Sequence, residues 1–309
     1  MTQPRIVSLL ASSTEVICRL GFEDYLVGCS HECDYPETVT KLPQVSRPKF
    51  KSSGDSKEID EEVKKVVQEG LGVYHVDAEK LEELQPTHIV TQDHCHVCAV
   101  SFDELEDAVC QIVTSHPKII NLNYGSLSEV FDGFKKVASG LDQPEKGEEL
   151  VAELEERMEQ VASKTKKRND KPRVAHIEWL DPLMSGGNWM PDLIEKAGGI
   201  NLFGESGGKS PKFTWDEFCE IDPEMILISP CGFTIDRTID EISTLIEKPG
   251  WADISAVKNK RVAIADGHQY FNRAGPRLAD SVEILAELFF PNDFSYGYRE
   301  SRAYVMWEA

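Results

Sequence analysis

The chain contains one short segment twice. Residues 83–91 reappear in outline as residues 220–228, and each copy places a proline, Pro86 or Pro223, between an amphipathic stretch and an apolar run. Proline lacks the N–H that a helix interior needs, so it ends the helix, and the apolar run that follows has the length of a buried parallel strand. The repeat therefore predicts two related lobes, and two facing lobes leave a cleft between them.

Composition limits the partners that such a chain can have. Its 309 residues with 40% hydrophobic content suit two domains with buried cores. The formal net charge of −21 repels nucleic acid and anionic membranes, so neither is expected as a partner. No apolar run reaches the length of a membrane span, so no membrane insertion is expected. A small ligand or a basic protein surface fits this charge better.

Two features bear on the compartment. Met1 is followed almost at once by the strand-like residues 5–9, without the apolar stretch of a secretion signal. The eight cysteines of so long a chain are typical of reduced thiols rather than of a disulfide framework. We therefore expect a cytoplasmic protein. The alternative is a periplasmic protein whose signal has been removed.

Short apolar runs alternate with stretches of helical period, which is the pattern of parallel α/β units. The predicted strands are residues 5–9, 26–29, 88–92, 118–122, 173–177, 225–229 and 261–265. Helices are expected to start where a hydroxyl residue precedes a glutamate by three positions, at Ser12, Ser126 and Thr214. The sequence thus predicts an α/β fold with a parallel sheet in each lobe.

One long helix is predicted between the lobes at residues 145–166. Leu150, Leu154, Met158 and Val161 lie on one stripe of it, and charged residues fill many of the other positions. About 22 residues at 1.5 Å per residue span roughly 33 Å, which is enough for a rigid strut.

The domain organisation follows from these elements. We expect an N-terminal α/β lobe at residues 1–125, a helical linker at 126–170 that includes the strut, and a C-terminal α/β lobe with an aromatic tail at 171–309. A polar, charged insert at residues 48–72 is a candidate flap over the cleft.

Ligands of open α/β sheets bind beyond the carboxyl ends of the strands, so the loops after the strands are where chemistry is expected. The densest of them is residues 94–98, in which His94, Cys95 and Cys98 directly follow a predicted strand. Two thiolates and a histidine suit a zinc ion, an iron ion or an axial position on a larger metal complex. A redox dithiol and two buried cysteines in a turn are the alternatives.

Aromatic residues flank a glycine-rich turn in the second lobe. Trp179 and Trp189 bracket residues 185–188, where glycines allow a ligand to approach the backbone closely. Large flat side chains on loops suit a large flat ligand, although ordinary core positions are an equally good explanation. No Lys-Ser or Lys-Thr follows the glycines, so a phosphate-binding loop is disfavoured.

Motifs spread over almost the whole chain carry a family resemblance. They are residues 5–9 with 13–15, 33–36, 43–46, both proline–strand repeats, 197–201 and 274–277. In these motifs the chain resembles the metal-chelate substrate-binding proteins of ABC transporters, the helical-backbone class that includes cobalamin, haem and siderophore receptors, and it is most similar to the cobalamin-binding receptors. The resemblance implies two Rossmann-like lobes with parallel sheets joined by a long backbone α-helix, the class III periplasmic-binding-protein fold. The missing signal, the cysteines and the insert indicate an intracellular subgroup.

The resemblance also implies a ligand and a partner. A corrinoid such as cobalamin, or another metal-chelated tetrapyrrole, is expected between the lobes, with arginines facing its acidic substituents. Family members dock on an ABC permease through one acidic residue on each lobe, and the matching positions here are Glu79 and Asp216. The candidate ligand contacts are Tyr35, Arg47, Tyr124, Glu178, Trp179, Trp189, Phe233, Phe271 and Arg273.

The leading hypothesis is therefore a soluble, non-enzymatic binding protein. Two alternatives stay open. One is a metal-dependent or thiol-based enzyme that uses Cys95 and Cys98 with His94 or His96 as a base. The other is an interaction module that has kept the fold and lost its ligand.

Overall fold

The centre of the N-terminal lobe is a parallel sheet. The computed structural model describes residues 3–68, 73–92 and 113–307. The strands of this lobe are β1 (Ile6–Ser8), β2 (Leu26–Cys29), β3 (Ser46–Pro48), β4 (Tyr74–Val76), β5 (His88–Gln92) and β6 (Lys118–Leu122). The main sheet has the order β2-β1-β5-β6 and all its neighbours are parallel, whereas β3 and β4 form a separate antiparallel pair.

The C-terminal lobe contains a second sheet of the same kind. Its strands are β7 (Arg173–Ile177), β8 (Ile200–Asn201), β9 (Met225–Ile228), β10 (Val262–Ala265) and β11 (Tyr304–Met306). The order is β11-β10-β9-β7-β8, and only β11 runs antiparallel to its neighbour. Every residue of β9 and β10 is buried, as expected for strands that are covered on both faces.

Helices cover both sheets. They are α1 (Ala11–Arg19), α2 (Ser56–Gln68), α3 (Ala78–Leu84), α4 (Leu127–Gly140), α5 (Pro144–Thr165), α6 (Met190–Lys196), α7 (Trp215–Ile221), α8 (Ile235–Glu241), α9 (Ser243–Ile246), α10 (Ser255–Lys258) and α11 (Leu278–Phe289). Short 3₁₀ turns occur at Glu23–Tyr25, Glu37–Lys41 and Trp251–Asp253.

The sequence repeat appears as a repeat of structure. Helix α3 and helix α7 each have seven residues and are followed by an inner strand of their sheet, β5 or β9. Each helix ends at a left-handed residue just before the proline, Gln85 or Asp222, and both of these residues have φ of 45°. The prolines thus separate helix from strand in both lobes, as the sequence predicts.

Two of the three predicted capping boxes are present. Ser126 and Glu129 cap α4, and Thr214 and Glu217 cap α7, with the reciprocal bonds in place. The prediction at Ser12 is wrong, because α1 begins at Ala11 and Ser12 lies inside its first turn. Glu15, the expected partner of Ser12, makes a long-range ion pair described below.

The strut helix α5 runs between the lobes and packs against both. It lies against α4 on the N-terminal side and against α6 and α11 on the C-terminal side. A Cβ on Gly147 would lie 2.7 Å from the Cβ of Ala138, so the glycine permits the close approach of α4 and α5. Arg157 of α5 forms ion pairs with Asp280 and Glu283 of α11 at 2.5 and 2.7 Å. These contacts attach both lobes to the same helix, α5.

The fold class predicted from the sequence is confirmed: two α/β lobes with parallel sheets, joined by a long helix. The helix begins at Pro144 and ends at Thr165, one residue earlier at each end than expected. The boundaries at 1–125, 126–170 and 171–309 stay a prediction. Across the described residues, no helix combines the length and the apolar character that crossing a bilayer requires.

Candidate functional site

Loops that follow strands in the two lobes meet across the cleft. Asp34 lies beyond β2, and its carboxylate is 2.6 Å from the guanidinium of Arg273 and 2.7 Å from the ring of His268, both beyond β10. Glu15 of α1 accepts hydrogen bonds from Arg277 at 2.6 and 3.0 Å. We call these five residues the arginine latch. The latch holds the carboxyl-terminal ends of the two sheets face to face.

Three of the five latch residues are largely removed from water, whereas His268 and Asp34 are 33% and 39% exposed. The side chain of Glu15 is 2% exposed, and those of Arg273 and Arg277 are 10% and 11% exposed. Burial by itself disfavours the charged form of Arg277, but the hydrogen bond to Glu15 and the charges of Glu15 and Asp34 together outweigh it and raise the pKa of the guanidinium. Burial likewise acts to raise the pKa of Asp34, and the bonds from His268 and Arg273 overcome it and hold that pKa well below its usual value. Asp34 and Arg277 therefore stay charged at neutral pH.

A second set of contacts crosses the cleft at the polar insert. The indole N–H of Trp179, just after β7, donates to the carbonyl of Ser56 at 3.1 Å. The carboxylate of Glu241 accepts from the backbone N–H of Ser56 at 3.0 and 3.1 Å. Arg237 donates to the carbonyl of Gly54 and pairs with Glu241. We call residues 52–59 the clasp, because they join the N-terminal lobe to the C-terminal one.

A cavity of about 440 Å³ lies between the clasp and the C-terminal lobe. Phe233 follows β9 and contributes an aromatic surface, and its ring centroid is 5.3 Å from that of Trp179. The guanidinium of Arg237 lies 4.7 Å from the Phe233 ring. The remaining lining residues are Ser52, Ser53, Gly54, Asp55, Ile59, Gly232 and Glu241. The cavity thus combines an aromatic face with polar and charged groups.

Four of the predicted ligand contacts lie in the loops that border the cleft. The rings of Trp179 and Phe233 contact each other at an angle of 56° beside the cavity, and Arg273 belongs to the latch. Tyr35 is 50% exposed, and the guanidinium of Arg277 lies 4.3 Å from its ring. These residues stay candidates for ligand contact.

Tyr124 and Phe271 do not reach the cleft. Both are 1% exposed and belong to the apolar core. Burial raises the pKa of the Tyr124 phenol well above its ordinary value. The sequence places both residues after predicted strands, but it does not show that their rings turn inward. We therefore correct the expectation that they contact the ligand.

The other three predicted contacts have local roles. Trp189 donates its indole N–H to the carbonyl of Phe271 at 2.6 Å and packs against the core. Glu178 accepts a hydrogen bond from Ser210 at 2.8 Å. Arg47 is exposed in β3, opposite His75 of β4. Their assignment as ligand contacts stays a prediction.

The predicted metal motif cannot be placed. His94, Cys95, His96 and Cys98 lie outside the described residues. Over residues 3–68, 73–92 and 113–307, histidine, cysteine and acidic side chains form no group of three or more that could hold a metal ion.

The two predicted docking residues occupy equivalent positions. Glu79 and Asp216 are exposed in the first turns of α3 and α7, the two helices of the repeat. A carboxylate in a first turn is favoured by the helix dipole in any case. Their role in docking stays a prediction.

Several residues of the site were missed from the sequence. Three of them are Asp34, His268 and Arg277, which follow strands or lie in the recognised motifs. An ionisable side chain close to the end of a strand was the sequence feature that could have identified them. Arg237 and Glu241 stand four apart on one helix, which by sequence alone indicates only a surface ion pair.

Comparisons with known proteins agree with this architecture. The family model described as "Periplasmic binding protein" matches residues 6–268. An uncharacterized ABC transporter substrate-binding lipoprotein of Bacillus subtilis is 25% identical over 296 residues, which cover 94% of this chain and 81% of the relative. A vitamin B12-binding protein of Vibrio vulnificus is 22% identical, with 92% of this chain and 89% of the relative covered.

Solved structures show the same fold. A periplasmic heme-binding protein of Roseiflexus sp. matches with a TM-score of 0.69 and 22% identity, over 94% of this chain and 99% of that one. The periplasmic vitamin B12 binding protein of Vibrio cholerae matches with a TM-score of 0.65 and 20% identity, over 93% and 96%.

The expectation of a cytoplasmic setting is wrong. The matching family is one of periplasmic proteins, and the Bacillus relative is a lipoprotein, which points to a place outside the cytoplasm. Unpaired cysteines do not contradict this, because buried thiols such as Cys29 and Cys33 are shielded from oxidants by the fold.

Proposed function

Because the chain belongs to the periplasmic binding protein family, whose members bind substrates without transforming them, we propose that it holds a metal-chelated tetrapyrrole, a corrinoid or a haem, in the cleft between its lobes. The protein is a substrate-binding protein of the ABC transporter type rather than an enzyme. The identity of its ligand is the proposal.

The aromatic cavity between the clasp and the C-terminal lobe is the observation that carries the proposal. Its volume of about 440 Å³ lies in the range of small-molecule sites. The rings of Trp179 and Phe233 stand together at its border and offer flat apolar surface to a conjugated ring. A complete corrinoid is larger than this space, so it fills the cavity only in part and extends out of its open side.

The named relatives support the same ligand class. A vitamin B12-binding protein is among the sequence relatives, and vitamin B12-binding and heme-binding proteins are among the structural ones. A corrinoid carries mainly amide side chains, whereas haem carries carboxylates. In the described cleft Arg237, Arg273 and Arg277 already pair with protein carboxylates, which favours the corrinoid.

Delivery to a permease completes the proposal. Glu79 and Asp216 stand at matching places of the two lobes, and a permease with one basic residue for each would engage both lobes at once. His94, Cys95 and Cys98 stay candidates for approaching the metal of the ligand.

A spectral titration tests the ligand. Purified protein is titrated with cyanocobalamin and, separately, with haemin, and the change in visible absorption gives the dissociation constant. Micromolar or tighter binding of one of them is expected. No binding of either at micromolar concentration would remove the tetrapyrrole proposal.

Variants connect the binding to the cleft. Trp179→Ala and Phe233→Ala should each weaken binding about tenfold, because each removes a ring next to the cavity. Tyr296→Ala is the matched control, since this aromatic ring is 43% exposed and lies in the tail. Equal affinity of the cleft variants and the control would place the ligand elsewhere.

A further inference from the structure

The first turn of α2 is held by a residue of the opposite lobe. The backbone N–H of Ser56 lies 3.0 and 3.1 Å from the two carboxylate oxygens of Glu241, which is the last residue of α8. Ser56 is 1% exposed and Glu241 is 7% exposed. A carboxylate at a helix N-terminus accepts from free N–H groups and is favoured by the helix dipole. The contact therefore binds the clasp to the C-terminal lobe through charge-assisted hydrogen bonds.

Helix α2 does not need Glu241 in order to start. Asp55 accepts a hydrogen bond from the backbone N–H of Glu58 at 2.8 Å, and Glu58 accepts one from the N–H of Asp55 at 3.3 Å. This reciprocal pair is a cap made within the helix itself. The distinct contribution of Glu241 is thus the tie between the lobes.

Two neighbours reinforce the tie. Arg237 pairs with Glu241 and also donates to the carbonyl of Gly54, so it bridges the same two segments. Trp179 donates to the carbonyl of Ser56 at 3.1 Å. The backbone at Gly54 and at Ser56 is therefore held by side chains of the C-terminal lobe.

The tie also forms a wall of the cavity. Ser52, Ser53, Gly54 and Asp55 line it from the clasp, directly before the anchored Ser56. Phe233, Arg237 and Glu241 line it from the other lobe. When the hydrogen bonds between Glu241 and Ser56 break, residues 52–55 are no longer held beside the cavity by this carboxylate.

We propose that Glu241 is a positioning residue for ligand retention, which holds the clasp as a wall of the cavity so that a bound ligand leaves only after Ser56 is released. This inference rests on the proposed function for the ligand, whereas the anchoring of the clasp by Glu241 can be measured without any ligand. The two parts are measured separately.

The first experiment needs no ligand. Hydrogen–deuterium exchange of the full chain is followed in peptides that cover residues 52–68. Glu241→Ala should raise exchange in these peptides about tenfold, because the charge-assisted bond is lost. Asp240→Asn removes a charge at the neighbouring exposed position and should leave exchange unchanged. Equal exchange in Glu241→Ala and wild type would overturn the anchoring.

The second experiment measures retention. Stopped-flow displacement gives the dissociation and association rate constants for whichever of cyanocobalamin and haemin the wild type binds. Glu241→Ala should raise the dissociation rate about tenfold without lowering the association rate, and Glu241→Gln, whose amide oxygen still accepts from Ser56, should lie in between. A variant that is merely misfolded would associate more slowly.

The outcomes separate the two proposals. An unchanged dissociation rate in Glu241→Ala would overturn the retention role even if the ligand binds. If wild type binds neither probe, the tetrapyrrole proposal fails, and the exchange measurement alone decides whether Glu241 anchors the clasp.

Discussion

The guanidinium of Arg273 reaches across the cleft and lies 2.6 Å from a carboxylate oxygen of Asp34. Arg273 follows the last parallel strand of the C-terminal lobe, and Asp34 follows an edge strand of the N-terminal lobe. One ion pair therefore connects the sheets at their carboxyl-terminal edges. Arg273 is 10% exposed and Asp34 is 39% exposed, so water screens this pair in part.

The latch should contribute to stability through its most buried pair. Arg277→Ala leaves Glu15, which is 2% exposed, without its strongest partner. Removal of one member of a buried pair typically costs about 3 kcal/mol, so a loss of this size in the free energy of unfolding is expected. Urea denaturation measures it.

Arg302→Ala is the matched control for the latch. Its pair with Asp236 is 59% and 74% exposed, so its loss should change the free energy of unfolding by less than about 0.5 kcal/mol. Equal effects of the two substitutions would mean that the latch does not behave as a buried pair.

His176 should make the protein sensitive to mild acid. Its ring is fully buried and makes hydrogen bonds with Ser229 at 2.7 Å and Gly186 at 3.2 Å. Burial lowers its pKa from the ordinary value of 6.5 to about 3. The unfolded chain therefore takes up a proton below pH 6.5 and the folded chain does not, so stability falls as the pH falls from 6.5 towards 3.

The size of this effect can be isolated with His176→Asn. Between pH 6.5 and 4.5 the wild type should lose about 2 to 3 kcal/mol more than the variant, as chemical denaturation at each pH reports. The other histidines are the same in both proteins, so their contributions cancel in the difference. Parallel pH profiles would show that His176 is accessible to protons in the folded state.

Gly147 should be intolerant of even a methyl group. A Cβ there would lie 2.7 Å from the Cβ of Ala138 and 3.0 Å from the Cα of Lys135. Alanine is the better helix former by about 1 kcal/mol, but overpacking between α4 and α5 costs about 1 to 3 kcal/mol. A lower thermal midpoint of Gly147→Ala is expected.

The double variant Gly147→Ala with Ala138→Gly tests the cause. Removal of the opposing methyl group relieves the closest contact, so the double variant should be more stable than the sum of the two single changes indicates. Strict additivity would contradict a steric origin.

Tyr124→Phe separates a core role from a binding role. The hydroxyl of Tyr124 is buried and finds no hydrogen-bond partner among the residues that the structure describes. Its removal should leave stability unchanged or raise it by about 1 kcal/mol, with ligand affinity unaltered. If Tyr124→Phe weakens binding in the spectral titration while its stability is unchanged, Tyr124 contacts the ligand after all.

Local patterns predicted most of the fold. The proline–strand repeat identified β5 and β9, because a helix end and an apolar run depend on neighbouring residues only. The same holds for the capping boxes at Ser126 and Thr214. The capping-box prediction fails at Ser12, because the carboxylate of Glu15 pairs instead with Arg277 of the other lobe. A partner far away in the chain is invisible to a local pattern.

The site was predicted less completely for the same reason. Trp179 and Phe233 stand out as aromatic residues after strands, and the structure places them together. Their neighbours Ser56 and Glu241 meet only because the insert folds across to the other lobe, a pairing that no spacing rule contains. Tyr124 and Phe271 follow predicted strands and therefore look like site residues in sequence. Core packing decides whether each ring points into the cleft or into the core.

The latch and the clasp together hold the two lobes against each other. A ligand that has to pass the clasp then binds only those molecules in which these contacts are open at a given moment, and its apparent dissociation constant rises in inverse proportion to their fraction. Weakening one cross-lobe contact enlarges that fraction and raises the association rate constant. The same change also raises the dissociation rate constant, which limits the gain in affinity. Selection on such a receptor acts on the balance between uptake and retention, which substitutions at these cross-lobe contacts can adjust.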